Sequence, residues 1–163
     1  MTEETFQSTG GVGIFLRSWL PGGTPRGVVV ICHGFNAHGG QYAWAAARLT
    51  EAGFAVYAAD LRGRGRSEGE RFFVTDIADY VADLGGAIAI AKARHPGAKV
   101  FLYGHSAGGV TSATYALDHQ AEIDGFICAS FAFQVPAPGF VISALKGLSH
   151  ICLLYTSPSP RDS

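Results

Sequence analysis

The stretch Lys99-Val100-Phe101-Leu102-Tyr103-Gly104-His105-Ser106-Ala107-Gly108-Gly109 decides how this chain is read. An apolar, strand-forming run stops at Gly-His-Ser-Ala-Gly, and a segment of helical composition, Ala107 to Leu117, follows. Strand, abrupt turn and helix in that order make a nucleophile elbow. A serine there sits in a tight turn at the carboxyl end of a sheet strand, its hydroxyl projecting outward. Gly104 and Gly108 flank it because a Cβ at either place would strike neighbouring backbone. Ser106 is the candidate nucleophile. Three fixed positions alone are a weak signal, and a plain strand-to-helix turn is the alternative; the strand before and the helix after give the motif its weight. The backbone N–H of Ala107 is a candidate oxyanion donor, because unpaired N–H groups and the dipole at a helix start favour negative charge.

Upstream, Gly27 to Cys32 is a continuous β-branched run, the mark of a strand buried on both faces. The loop after it, His33-Gly34-Phe35-Asn36-Ala37-His38-Gly39-Gly40, is placed to supply a second oxyanion donor, the N–H of Phe35, with Gly34 letting the backbone turn. An ordinary glycine-rich loop is the alternative. His33 and His38 are weighed as the base and set aside, because a base must reach the serine hydroxyl. His33 is expected to bond within its own loop, and His105, next to the serine in a sharp turn, to point away. Asp60, Asp118 and Asp124 are set aside as the triad acid. The run Asp60-Leu61-Arg62-Gly63-Arg64-Gly65-Arg66-Ser67-Glu68-Gly69-Glu70-Arg71 alternates Arg and Gly, as RNA-contacting segments do. It also holds three acids and the chain lacks a matching basic face, so a solvated loop is expected, with Arg64 in it.

Strand and helix patterns alternate along the rest. A hairpin over 6–20 turns at Gly10-Gly11. Gln41 to Ala52 is helical, and 54–59 is a second buried strand. A helix starts at Thr75 or Asp76 and ends at His95-Pro96-Gly97, and its apolar residues recur at helical spacing. Val100 to Tyr103 is a third buried strand and Ile123 to Ala129 a fourth. The pattern predicts an α/β fold, a mostly parallel sheet with helices on both faces. At 163 residues with 48% hydrophobic and 15% charged, one domain with a sizeable core is expected. A net charge of -1 gives no pull toward nucleic acid. The apolar stretch 126–148 is interrupted by Gln134, Pro136 and Pro138, too often for a membrane span. Three cysteines without a CxxC pair support neither zinc nor a disulfide framework, and with an acidic, polar N-terminus they point to a reduced cytoplasmic setting. No cofactor or metal is expected.

The ordered set His33-Gly34, His38-Gly39-Gly40 and Tyr42, then Asp60 to Gly63, Gly65, Ser67-Glu68-Gly69 and Arg71, then Gly104 to Gly109 resembles the monoacylglycerol lipase and lysophospholipase branch of the α/β-hydrolases, a branch also called serine aminopeptidase-like. The resemblance covers roughly residues 5 to 150, with three motifs in order. It implies hydrolysis of small acylglycerol or lysophospholipid esters by a Ser–Asp–His triad through an acyl-enzyme on Ser106. His33, Gly34, Gly104, His105 and Gly108 would support the elbow and the oxyanion loop. The family often carries Glu at Ala37, His at Arg64 and Met at Ala107.

The resemblance also divides the chain: 1–135 as the N-terminal part of the core and 136–149 as the start of a helical cap able to touch a lipid surface. Segment 150–163 has no useful periodicity and ends in Ser/Pro repeats, so it reads as a non-native tail, with a disordered terminus as the alternative. The family's Asp and His lie on later strands, so the fold is expected to be truncated before its last strands and the chain to be nearly inactive by itself. Other acyl hydrolysis on the same scaffold, of peptides, thioesters or lactones, and a non-catalytic binding module are the competing readings. A strained serine is of no use to a binding module.

Overall fold

The apolar run 28–32 explains the middle of the molecule. In the computed structural model, which describes residues 1–131, 139–140 and 143, it forms strand β3 (Val28–Cys32), buried along its whole length. Side chains alternate between two faces. Val28, Val30 and Cys32 enter one core with Leu84, Ile88 and Tyr115, while Val29 and Ile31 enter another with Trp19 and Ala46. Strand β4 (Ala55–Ala59) splits in the same way, Tyr57 to the first core and Val56 to the second.

Six strands make one sheet in the order β1-β2-β4-β3-β5-β6. Strand β3 runs parallel to β4 and to β5 (Val100–His105), and β5 runs parallel to β6 (Gly125–Ala129). Strand β1 (Thr2–Gln7) pairs antiparallel with β2 (Gly13–Trp19), which pairs antiparallel with β4. Helix α1 (Ala43–Glu51) buries Ala46 in the second core; α2 (Ile77–Arg94) and α3 (Ala107–Asp118) cover the first, on the opposite face. This is the α/β-hydrolase arrangement that the sequence predicts. Because β3 lies between β4 and β5, the loops that leave β3 and β5 open side by side, at the place where open α/β sheets form their crevice.

Local differences have local causes. Helix α1 starts two residues later than its composition suggests, because Gly39–Tyr42 first form a 3-10 turn capped by the His38 ring, which accepts from Gly40 N–H at 3.2 Å. The first hairpin reaches back to Thr2, and Gly10 and Gly11 take φ of 73° and 71° at its turn. Asp76 is the cap of α2, its side chain accepting from Ala78 N–H. Strand β6 is not a buried strand. It lies at the edge of the described sheet, with Ile127 53% exposed and Cys128 exposed.

Cys32 is buried, and burial pushes its thiol up to about 12, so it packs as a small hydrophobe. Among the described residues no cluster of His, Cys, Asp and Glu could hold a metal ion, and no helix is long and apolar enough to cross a membrane. The boundary at 135, the cap at 136–149 and the tail at 150–163 lie outside the described residues, apart from Gly139, Phe140 and Ser143, which are helical.

Candidate active site

Ser106 follows β5 and caps α3 with φ 54° and ψ −121°, a left-handed backbone that L side chains rarely adopt. Such a dihedral costs on the order of 1–3 kcal/mol and persists only where the surroundings fix it. Two bonds fix this one: Ser106 N–H donates to the Ala129 carbonyl at 2.9 Å, and the Ser106 carbonyl accepts from Gly109 N–H at 2.9 Å. Close packing does the rest. A Cβ on Gly108 would stand 2.3 Å from the carbonyl oxygens of Cys32 and His33, and one on Gly104 would stand 2.7 Å from Gly109 Cα. Glycine at 104 and 108 thus lets α3 press directly onto β3 and β5.

The loop after β3 is held from below by His33, which is 1% exposed. Leu61 N–H donates to its Nε2 at 3.0 Å, so Nδ1 carries the proton and donates to the Gly34 carbonyl at 2.7 Å. Burial pushes this ring down to about 4, against a smaller upward pull from the Gly34 bond, so it is neutral at pH 7. The Gly34 carbonyl and the Phe35 N–H belong to one trans peptide and point in opposite directions. Fixing the carbonyl on His33 therefore aims the Phe35 N–H the other way and polarises it. Gly34 itself is not left-handed; its missing Cβ matters because one there would lie 3.4 Å from Ser106 Cβ and from His105 Nδ1. His105 turns to Tyr42, whose hydroxyl lies 3.0 Å from Nδ1.

A cleft of about 260 Å³ brings Phe35 together with Ala107 and Gly108, and Val74, Ile77 and Val110 give it apolar walls. Ser106 is not part of its described lining but adjoins it through Ala107. Both candidate oxyanion residues thus face one largely apolar space.

The loop 60–71 corrects the expectation of a solvated segment over its first half; Arg66 and 68–71 are exposed. Asp60, Arg62, Arg64 and Ser67 are all buried. Asp60 accepts from Arg17 Nη1 at 2.6 Å, Gly39 N–H at 2.7 Å and Arg66 N–H at 2.8 Å. Arg62 clamps Asp83 of α2 through Nε at 3.0 Å and Nη2 at 2.8 Å. Arg64 donates from Nε to the Phe35 carbonyl at 2.8 Å and stacks on the rings of Phe35, Phe72 and Tyr80. The composition of the loop suggests a wet segment; the hydrogen bonds and ring contacts made by Asp60, Arg62 and Arg64 let these three charges go under. Asp83 inside an amphipathic helix pattern is the one available signal, a carboxylate on a buried stripe that demands a cation.

Sequence and structure comparisons identify the family. Residues 23–160 match the family described as serine aminopeptidase, S33. The chain belongs to this family of α/β-hydrolases. It is 38% identical over 126 residues to a monoacylglycerol lipase of Mycolicibacterium smegmatis, covering 77% of this chain and 45% of that one. It is 34% identical over 153 residues to the monoglyceride lipase of Homo sapiens, covering 92% and 50%. A monoacylglycerol lipase structure from Paleococcus ferrophilus superposes with a TM-score of 0.69 at 35% identity, over 85% of this chain and 51% of that one. A thermostable carboxyl esterase from Bacillus coagulans, solved with glycerol, gives 0.81 at 27% identity, over 92% and 50%. The chain spans about half the length of the curated relatives it matches.

Proposed function

We propose that this chain carries the nucleophile and oxyanion half of a serine hydrolase for esters of the acylglycerol or lysophospholipid type. The observation that carries the reading is the left-handed Ser106, wedged between Gly104 and Gly108 at the mouth of an apolar cleft. The names of the family relatives, monoacylglycerol lipase and monoglyceride lipase, support the substrate class. In this mechanism Ser106 Oγ attacks the ester carbonyl as its proton passes to a histidine. The Phe35 and Ala107 N–H groups hold the resulting oxyanion. Collapse expels the alcohol, which takes that proton, and water then releases the acid from the acyl-enzyme.

His33, His38 and His105 are each bonded elsewhere, to Gly34 and Leu61, to Gly40, and to Tyr42. The relatives are about twice as long as this chain, and the reading takes the base and its acid from the part of them that the chain does not span. A cytoplasmic setting, and contact with a lipid surface through the cap expected at 136–149, belong to the same reading. The test compares p-nitrophenyl butyrate hydrolysis by the 163-residue chain and by the full product of its parent gene. The expected result is a chain slower by about 10³-fold or more, since only oxyanion and binding effects remain without the base. Mass spectrometry after fluorophosphonate treatment of the full product should find the adduct on Ser106 and none in Ser106→Ala. An adduct elsewhere, or full activity of the short chain, would overturn the reading.

A further inference from the structure

A second cleft, of about 210 Å³, shares Arg64 with the apolar one; Arg17, His38, Arg66, Arg71 and Phe72 also line it. Its charges do not balance. Arg17 is bound to Asp60 and Glu3, and Arg66 to Glu3 at 2.7 Å. Arg71 donates to the Gly65 carbonyl, at 3.2 Å, and no carboxylate pairs with it among the described residues. Arg64 is 4% exposed and likewise has no carboxylate partner there. Its Nε and Nη1 go to the Phe35 and Gly63 carbonyls, which leaves Nη2 without a hydrogen bond among the described residues. Three aromatic faces soften the cost of burying this cation, but they do not cancel its charge. A largely buried guanidinium whose Nη2 is left open to water, beside a second guanidinium that no described carboxylate pairs, is complementary to an oxyanion that accepts several hydrogen bonds at once.

We infer that the cleft walled by Arg64 and Arg71 receives a phosphate group, and that the ester acted on next door is a monoacyl glycerophosphate rather than a neutral glyceride. Naming that substrate rests on the reading of Ser106 given above; the phosphate site does not. Arg64 lines both clefts, so the acyl chain would lie on its Phe35 and Tyr80 side and the headgroup on its Arg71 side. Phosphate is favoured over carboxylate because two guanidinium groups line the cleft, and its three acceptor oxygens can serve donors from both.

The chain as it stands can be titrated with glycerol 3-phosphate, inorganic phosphate and glycerol, with amide shifts of Gly63 and Gly65 followed by NMR. Glycerol 3-phosphate should bind at least tenfold more tightly than glycerol and more tightly than phosphate alone. Arg71→Gln, on an exposed side chain, should weaken it about tenfold, as expected for a lost charge-assisted bond, and Arg64→Gln at least as much. Ser106→Ala should leave binding unchanged, which separates failure of this site from failure of the hydrolase reading. Undiminished binding in folded Arg71→Gln, no preference over glycerol, or phosphate binding as tightly as glycerol 3-phosphate would each overturn the assignment.

Discussion

The turn at Gly104–Gly109 and the loop at 60–71 lie at the same end of the sheet and are stabilised by opposite means. The first places one strained serine between glycines and holds it by contact: backbone against backbone, with two main-chain bonds. The second buries Asp60, Arg62, Arg64 and Ser67 and holds them by charge and hydrogen bonding. Shape fixes one loop and pairing fixes the other. The two meet at Phe35, whose peptide neighbours are tied to His33 on one side and Arg64 on the other. A rigid elbow needs a partner loop that cannot drift, and a polar loop stays still only when its polar groups are desolvated and bonded.

That contrast is sharpest if each loop is broken by its own means. Gly108→Val should have the largest effect. Its Cβ would stand 2.3 Å from the carbonyl oxygens of Cys32 and His33, backbone that cannot move away, so a loss of about 4 kcal/mol or more in urea unfolding is expected. Near-native stability would mean that contact does not hold the elbow. Next is Asp83→Ala, which strips the buried partner from Arg62 and leaves the half-exposed Asp79 carboxylate 2.7 Å from Nη1. Breaking a buried pair from one side costs about 3–5 kcal/mol. A cost under about 1 kcal/mol, the range of surface pairs, would restore the solvated loop. The smallest effect runs the other way: Ser106→Gly should raise stability by about 1 kcal/mol, because glycine takes φ 54° without strain. Thermal melting of that variant below the parent would show that the serine side chain, and not the dihedral, decides the energy there.

The same contrast explains what can be read in advance. Positional constraints survive in the letters: Gly104 and Gly108, on either side of Ser106, announce a turn in which a Cβ does not fit, and the β-branched run at 28–32 announces a strand covered on both faces. The layered parallel sheet follows, because short right-handed connections leave few alternatives. Pairing leaves a fainter trace, Asp83 on the buried stripe of α2. Asp60 bonds to Arg17 and Arg62 to Asp83, partners 43 and 21 residues apart, and nothing local in Arg-Gly-Arg-Gly-Arg says that the charges have found them. Strand β6 departs from its expected burial for a related reason: 123–129 has a core composition, but an edge position is a property of the sheet.

The contact of Gly108 with the carbonyls of Cys32 and His33 also has a consequence in time. It joins α3 to a strand far earlier in the chain, so it cannot form until β3 and β5 have closed the long loop between them. Until then nothing compels Ser106 into its left-handed dihedral, and the turn relaxes. On the proposed role of Ser106, reactivity is therefore acquired late on the folding route and lost early when the molecule breathes. A transient parting of α3 from the sheet would silence the serine before the rest of the core had begun to open.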